Sequence, residues 1–104
     1  MKRKIVAYVP DLLDRSKVAA AGDVTFVGRP EQLAEGAATS GAELAVVDLT
    51  RPGVVDVLGN VPVPVIAFAN HTRRDLMDAA IAAGASQVMA RSAFFSRLDE
   101  LLGA

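Results

Sequence analysis

No cysteine occurs in the chain, which excludes disulfides, thiolate metal sites and thiol nucleophiles. There is a single histidine, His71. With no cysteine or second histidine to join it, no metal centre is expected. No apolar run approaches the roughly 18–20 residues that cross a bilayer. The start, MKRKIVAYVP, is basic and then apolar, but its apolar part is five residues long, and the charged DLLDRSK follows Pro10. It is not read as a signal peptide. A charge excess of one sign is lacking too: 11 Lys and Arg stand against 12 Asp and Glu, spread along the chain. That gives no basic footprint for nucleic acid. GRPEQLAEG has neither the glycine spacing nor the lysine of a phosphate-cradling loop. Neither Ser86 nor Ser92 sits in a nucleophile-elbow context. Repeats, low-complexity segments and linkers are absent, so residues 1–104 are read as one domain, with a cytoplasmic setting and no membrane partner expected.

What is present is an alternation. Hydrophobic residues make up 52% of the chain, and they fall into short runs separated by helix-like segments. The runs are Ile5–Val9, Asp23–Val27, LAVVD ending at Asp48, Val65–Ala69 and Ser86–Ala90. Continuous β-branched runs of this length read as strands buried on both faces, and intervening helices imply a parallel sheet. In the first helical segment, Leu12, Leu13, Val18 and Ala19 are compatible with one buried face, and Gly22 suits its end. EQLAEGAATS reads as a weak second helix with Pro30 near its start. VVDVLG is too short and too β-branched to assign. HTRRDLMDAAIAAG is the clearest helix. Thr72 and Asp75 resemble a capping box, Leu76, Ala79, Ala80 and Ala83 form a stripe, and Gly84 stops it. SAFFSRLDELLGA closes the chain, with Ser92 as a candidate N-cap and Phe94, Leu98 and Leu101 on one face.

The βαβαβαβαβα order leads to a three-layer, doubly wound, five-stranded parallel α/β domain of flavodoxin-like type, because crossovers are right-handed. In such a sheet, ligands collect beyond the carboxyl ends of the strands. That rim is expected to carry Asp11 after the first strand and Asp48, Thr50 and Arg51 after the third. Asn70 and His71 follow the fourth strand, and Arg91 the fifth. The plainer account of the rim is the wet end of any such sheet, in which Asp48 caps the next segment or pairs with Arg91 or Arg51.

Five such units, with an Asp ending the third strand, resemble the receiver domain of bacterial response regulators. VPVIAFANHTRRDLMDAAIAAGASQVMAR is similar to that family's fourth strand, fourth helix and fifth strand. AAIAAGASQVMAR matches its run into the last strand. The resemblance implies strand order 2-1-3-4-5 and places a phosphoacceptor at Asp48. It also implies an acidic, Mg²⁺-holding pair at Val9 and Pro10, with Asp11 the adjacent carboxylate. The hydroxyl position falls on Ala69 and the lysine position on Arg91. Mg²⁺ needs hard oxygen ligands, and valine, proline and alanine side chains supply none. The resemblance therefore implies a non-catalytic, phosphorylation-independent interaction domain of bacterial signalling, without cofactor, and a homodimer. The partner face is expected on Met77, Ile81 and Phe95, although Met77 and Ile81 equally well widen the core stripe. Two alternatives stand beside it: a small-ligand module using the rim, and a receiver still phosphorylated at Asp48.

Overall fold

The computed structural model describes residues 2–103. Five parallel strands run β1 (Lys4–Tyr8), β2 (Asp23–Phe26), β3 (Leu44–Asp48), β4 (Val65–Ala69) and β5 (Gln87–Ala90). They are ordered β2-β1-β3-β4-β5, as expected. Between them lie α1 (Leu12–Ala21), α2 (Leu33–Ser40), α3 (Val54–Val57) and α4 (Arg74–Ala82), followed by α5 (Arg91–Ser96) and α6 (Leu98–Leu102). A 3₁₀ turn over Pro30–Gln32 leads into α2, and another over Leu58–Asn60 extends α3. The unassigned VVDVLG segment is thus a single helical turn and a 3₁₀ turn, as short as its β-branched residues allow.

The central strands explain the runs. Every residue of β3 and β4 is buried, because helices cover both faces. One core cluster joins the sheet to α2, α3 and α4 through Leu33, Ala37, Val54, Leu58 and Ala80. The other joins it to α1, α5 and α6 through Val18, Ala21, Phe94, Leu101 and Leu102. Phe68 and Phe94 stack at 4.7 Å in that second cluster, with Phe95 edge-on to both rings.

Several local expectations are corrected. Of the expected α1 face only Val18 is buried. Leu12 and Leu13 are each 75% exposed, Ala19 is exposed, and the core stripe is Asp14, Val18 and Ala21. At 100° per residue those three share one side of the helix, and Leu12 and Leu13 lie on the other. The capping box before α4 does not form. Arg73 is the N-cap residue without a side-chain bond, and it holds Asp75 through Nε and a terminal nitrogen, both at 3.1 Å. The closing helix is two helices broken at Arg97. Ser92 lies inside the first of them, whose N-cap is Ala90. β1 sits one residue earlier than expected, β2 ends at Phe26, and β5 begins at Gln87.

Candidate functional site

The strand order reverses between β1 and β3, so the crevice at their carboxyl ends is where a ligand would sit. Tyr8 pairs with Val47 and Asp48 with Phe68. Register therefore sets Val9 beside Asp48. Ala69 pairs with Ala90, immediately before Arg91. The edge of the sheet thus brings Val9, Asp48, Ala69 and Arg91 together. Val9 and Ala69 are buried apolar residues and contribute no side-chain oxygen.

Asp48 is 4% exposed, and its carboxylate is occupied by its own turn. One oxygen accepts from the Thr50 backbone N–H at 3.0 Å and from the Thr50 hydroxyl at 2.6 Å. The other lies 3.7 Å from Nε of Arg51, a looser ion pair. Thr50, a candidate ligand residue, thus spends its hydroxyl inward.

Arg91 does not pair with Asp48. Its guanidinium reaches across to α1 and holds Asp14 bidentately. One terminal nitrogen donates to Asp14 Oδ2 at 2.6 Å, and the other donates to Oδ1. The planar fork fits the two carboxylate oxygens. The same guanidinium lies 5.0 Å from the Phe95 ring centre and 5.9 Å from that of Phe68, a favourable placement for a cation over aromatic faces. The bond to Asp14 holds the Arg91 pKa above its ordinary value, against some desolvation, with Asp14, Asp48 and Asp11 adding their fields. Reading the sequence does not single out Asp14 as a site residue. The available signal is its spacing: Val18 and Ala21 follow it at i+4 and i+7, so it occupies a core position and needs a counter-charge.

The remaining rim residues are dispersed. Asp11 is the exposed N-cap of α1 and accepts from the Asp14 N–H at 3.0 Å. That bond holds its carboxyl below the usual range, partly opposed by desolvation and helped by the fields of Arg91 and Arg51. Asn70 accepts from the Thr72 N–H at 3.5 Å, and His71 is exposed. A shallow cavity of ≈ 240 Å³ opens beside the rim, lined among others by Thr50, Arg51, Asp56 and Arg73. Asp11, Asn70, His71 and Arg91 do not line it. Among the described residues no group of three His, Cys, Asp or Glu side chains is placed to hold a metal ion. No helix among them is long and apolar enough to cross a membrane.

On the expected partner face, Ile81 is 60% exposed, whereas Met77 is half-buried against the core. Phe95 is packed among the other phenylalanines beneath Arg91. The three do not form one open apolar surface.

The sequence matches no protein-family model and no curated protein. Solved structures do match. A response regulator from Hahella chejuensis superposes with a TM-score of 0.78 at 16% identity, over 95% of this chain and 91% of that one. The phosphorylated cyanobacterial phytochrome response regulator RcpA gives 0.75 at 17%, over 99% and 90%. The signal receiver domain of the putative response regulator NarL from Mycobacterium tuberculosis gives 0.74 at 18%, over 96% and 92%. The architecture is therefore a doubly wound, flavodoxin-like α/β domain. Within that class, it is the receiver fold of response regulators.

Proposed function

We propose that the chain is a non-catalytic, phosphorylation-independent receiver-like domain that acts in bacterial signalling by binding protein, in the cytoplasm. The observation that carries this reading is the commitment of Arg91 to buried Asp14 while Asp48 is closed by its own Thr50 turn. Aspartyl phosphorylation needs an open carboxylate, a divalent cation beside it and polar groups to grip the new phosphoryl oxygens. Val9 and Pro10 do not fit a Mg²⁺ ion, since neither side chain carries an oxygen. Ala69 cannot hydrogen-bond a phosphoryl group. Arg91 would have to abandon a carboxylate that is 1% exposed, leaving a buried charge unpaired. What remains for the domain is a surface.

The test is an amide NMR spectrum of the ¹⁵N-labelled chain, recorded before and after beryllofluoride or acetyl phosphate with Mg²⁺. Unchanged resonances at Asp48, Thr50, Ala69 and Arg91 are expected. Saturable shifts centred on Asp48 would sink the reading.

A further inference from the structure

The cavity of ≈ 240 Å³ beside the rim lies between the β3–α3 loop and the start of α4. Its floor is apolar: Leu49 is buried, and Val55 and Leu76 pack on the first core cluster. Its walls are charged. Arg51, Asp56 and Arg73 line it, and all three reach solvent. These charges are incompletely spent. Arg51 comes no closer to a carboxylate than Nε at 3.7 Å from Asp48, so its terminal nitrogens keep their donors. Arg73 gives Asp75 its Nε and one terminal nitrogen, which leaves the other. Asp56 forms no ion pair with any other described residue. The frame is fixed by backbone bonds. The Leu49 N–H donates to the Phe68 carbonyl and the Arg73 N–H to the Asn70 carbonyl, both at 2.9 Å. Two larger hollows lack this combination. One runs along the single stretch Phe95–Glu100, where Arg97 is spent on Glu100; the other, between β2 and α2, has no cation.

We infer that this cavity binds a small aliphatic α-amino acid of about the size of leucine. The inference goes beyond the interaction-domain reading and does not rest on it. The lining disfavours a purely anionic ligand. Arg51 and Arg73 already face Asp48 and Asp75, and with Asp56 two arginines stand against three aspartates. A phosphate or a dicarboxylate therefore meets net repulsion. A zwitterion adds no net charge and uses both signs. Its carboxylate accepts from the terminal nitrogens of Arg51 and Arg73, and its ammonium donates to Asp56. Its side chain covers Leu49, Val55 and Leu76. The volume falls below the roughly 300–1,000 Å³ of cavities that hold drug-sized ligands, which suits a ligand this small. The ion pairs form at an exposed rim and each contributes little, so the dissociation constant is about 1 mM.

The test is a titration of the ¹⁵N-labelled chain with L-leucine to about 20 mM at neutral pH, followed by amide NMR. Saturable shifts are expected at Gly53, Asp56, Arg73 and Leu76, half-complete at about 1 mM. Isocaproate lacks the ammonium and isoamylamine lacks the carboxylate; each should bind at least about threefold more weakly. Asp56→Asn should bring leucine down to the level of isocaproate and leave isocaproate no weaker. Arg73→Gln should weaken leucine and isocaproate together and leave isoamylamine no weaker. Both side chains are exposed, so circular dichroism should show the fold unchanged, and a merely structural role would not separate the three compounds. Shifts that do not saturate, equal binding of all three compounds, or leucine binding indifferent to Asp56→Asn overturn the inference and leave the interaction-domain reading standing. A beryllofluoride response centred on Asp48 does the reverse: it removes that reading and leaves the amino-acid site untouched.

Discussion

Replacing Arg91 by alanine isolates the contact on which the site turns. Asp14 is 1% exposed and its hydrogen-bonding guanidinium is 45% exposed on its side-chain surface. Truncating one partner of a fully buried ion pair costs about 3–5 kcal/mol, because the other charge is stranded. Arg91 is half in solvent, so water follows into the space it leaves and screens the carboxylate. We set the cost at about 2–3 kcal/mol, including the lost packing of the guanidinium on Phe95. For a domain of this size that corresponds to a fall in Tm of about 10–20 °C. The opposite truncation is milder. Asp14→Leu leaves Arg91 free to turn to solvent and should cost about 1 kcal/mol or less. The double variant Asp14→Leu with Arg91→Met removes both charges and should recover to within about 1 kcal/mol of the parent. Urea titrations followed by circular dichroism, with m-values compared, give the stabilities of the parent and the three variants. An Arg91→Ala variant within about 0.5 kcal/mol of the parent, or a double variant as unstable as Arg91→Ala, would refute the account of Asp14 as a buried charge dependent on its partner.

Two further outcomes follow from the geometry. Gly36 lies inside α2, where alanine ordinarily gains about 1 kcal/mol. A Cβ there would meet Val27 Cγ1 at 2.9 Å and Val6 Cγ2 at 3.1 Å. These stiff β-branched neighbours give little, so Gly36→Ala should destabilise by about 1 kcal/mol net, seen as a lower urea midpoint; a higher midpoint would refute the close-approach argument. The carboxyls of Asp11, Asp75 and Glu100 are held low by the Asp14 N–H, Arg73 and Arg97 respectively. A carboxyl lowered in the folded state stabilises it above its unfolded pKa and loses that contribution as pH falls through the folded value. The urea midpoint should therefore decline as pH drops below about 4. Added salt should trim the Asp75 and Glu100 shares, while Asp11→Asn removes the third; a midpoint that rises on acidification would contradict the assignment.

The sheet is legible in the sequence because β3 and β4 are buried on both faces and so carry no alternation to confuse them. Their strand ends and the order of units place Asp48, Ala69 and Arg91 along one edge. Pairing is not legible. Asp48 and Arg91 are neighbours in that edge, yet Arg91 selects Asp14 because a carboxylate in the core has greater need of a counter-charge than one satisfied by its own turn. Nothing local to DLLDRSK reveals this, since the partner lies 77 residues away. For the same reason the buried face of α1 does not follow from its composition. Leucine content favours Leu12 and Leu13, whereas the side of the helix that meets the sheet carries an aspartate. At Thr72 the local pattern is outcompeted by Arg73, which takes the carboxylate a capping box would have used.

The Asp14–Arg91 bond also bears on how the chain reaches its fold. Helix α1 forms near the start of the chain, but the cation its buried side needs arrives only with α5. A second tie of the same kind joins the ends, with Arg3 donating to the Leu101 carbonyl at 3.2 Å across 98 residues. Contacts of such long separation form late, because the loop they close must first be ordered. During synthesis from the N-terminus, α1 can therefore settle on the sheet only after β5 has been added and Arg91 has emerged. A fragment ending at Ala90 would keep all five strands in sequence but, without Arg91, leave α1 loosely held.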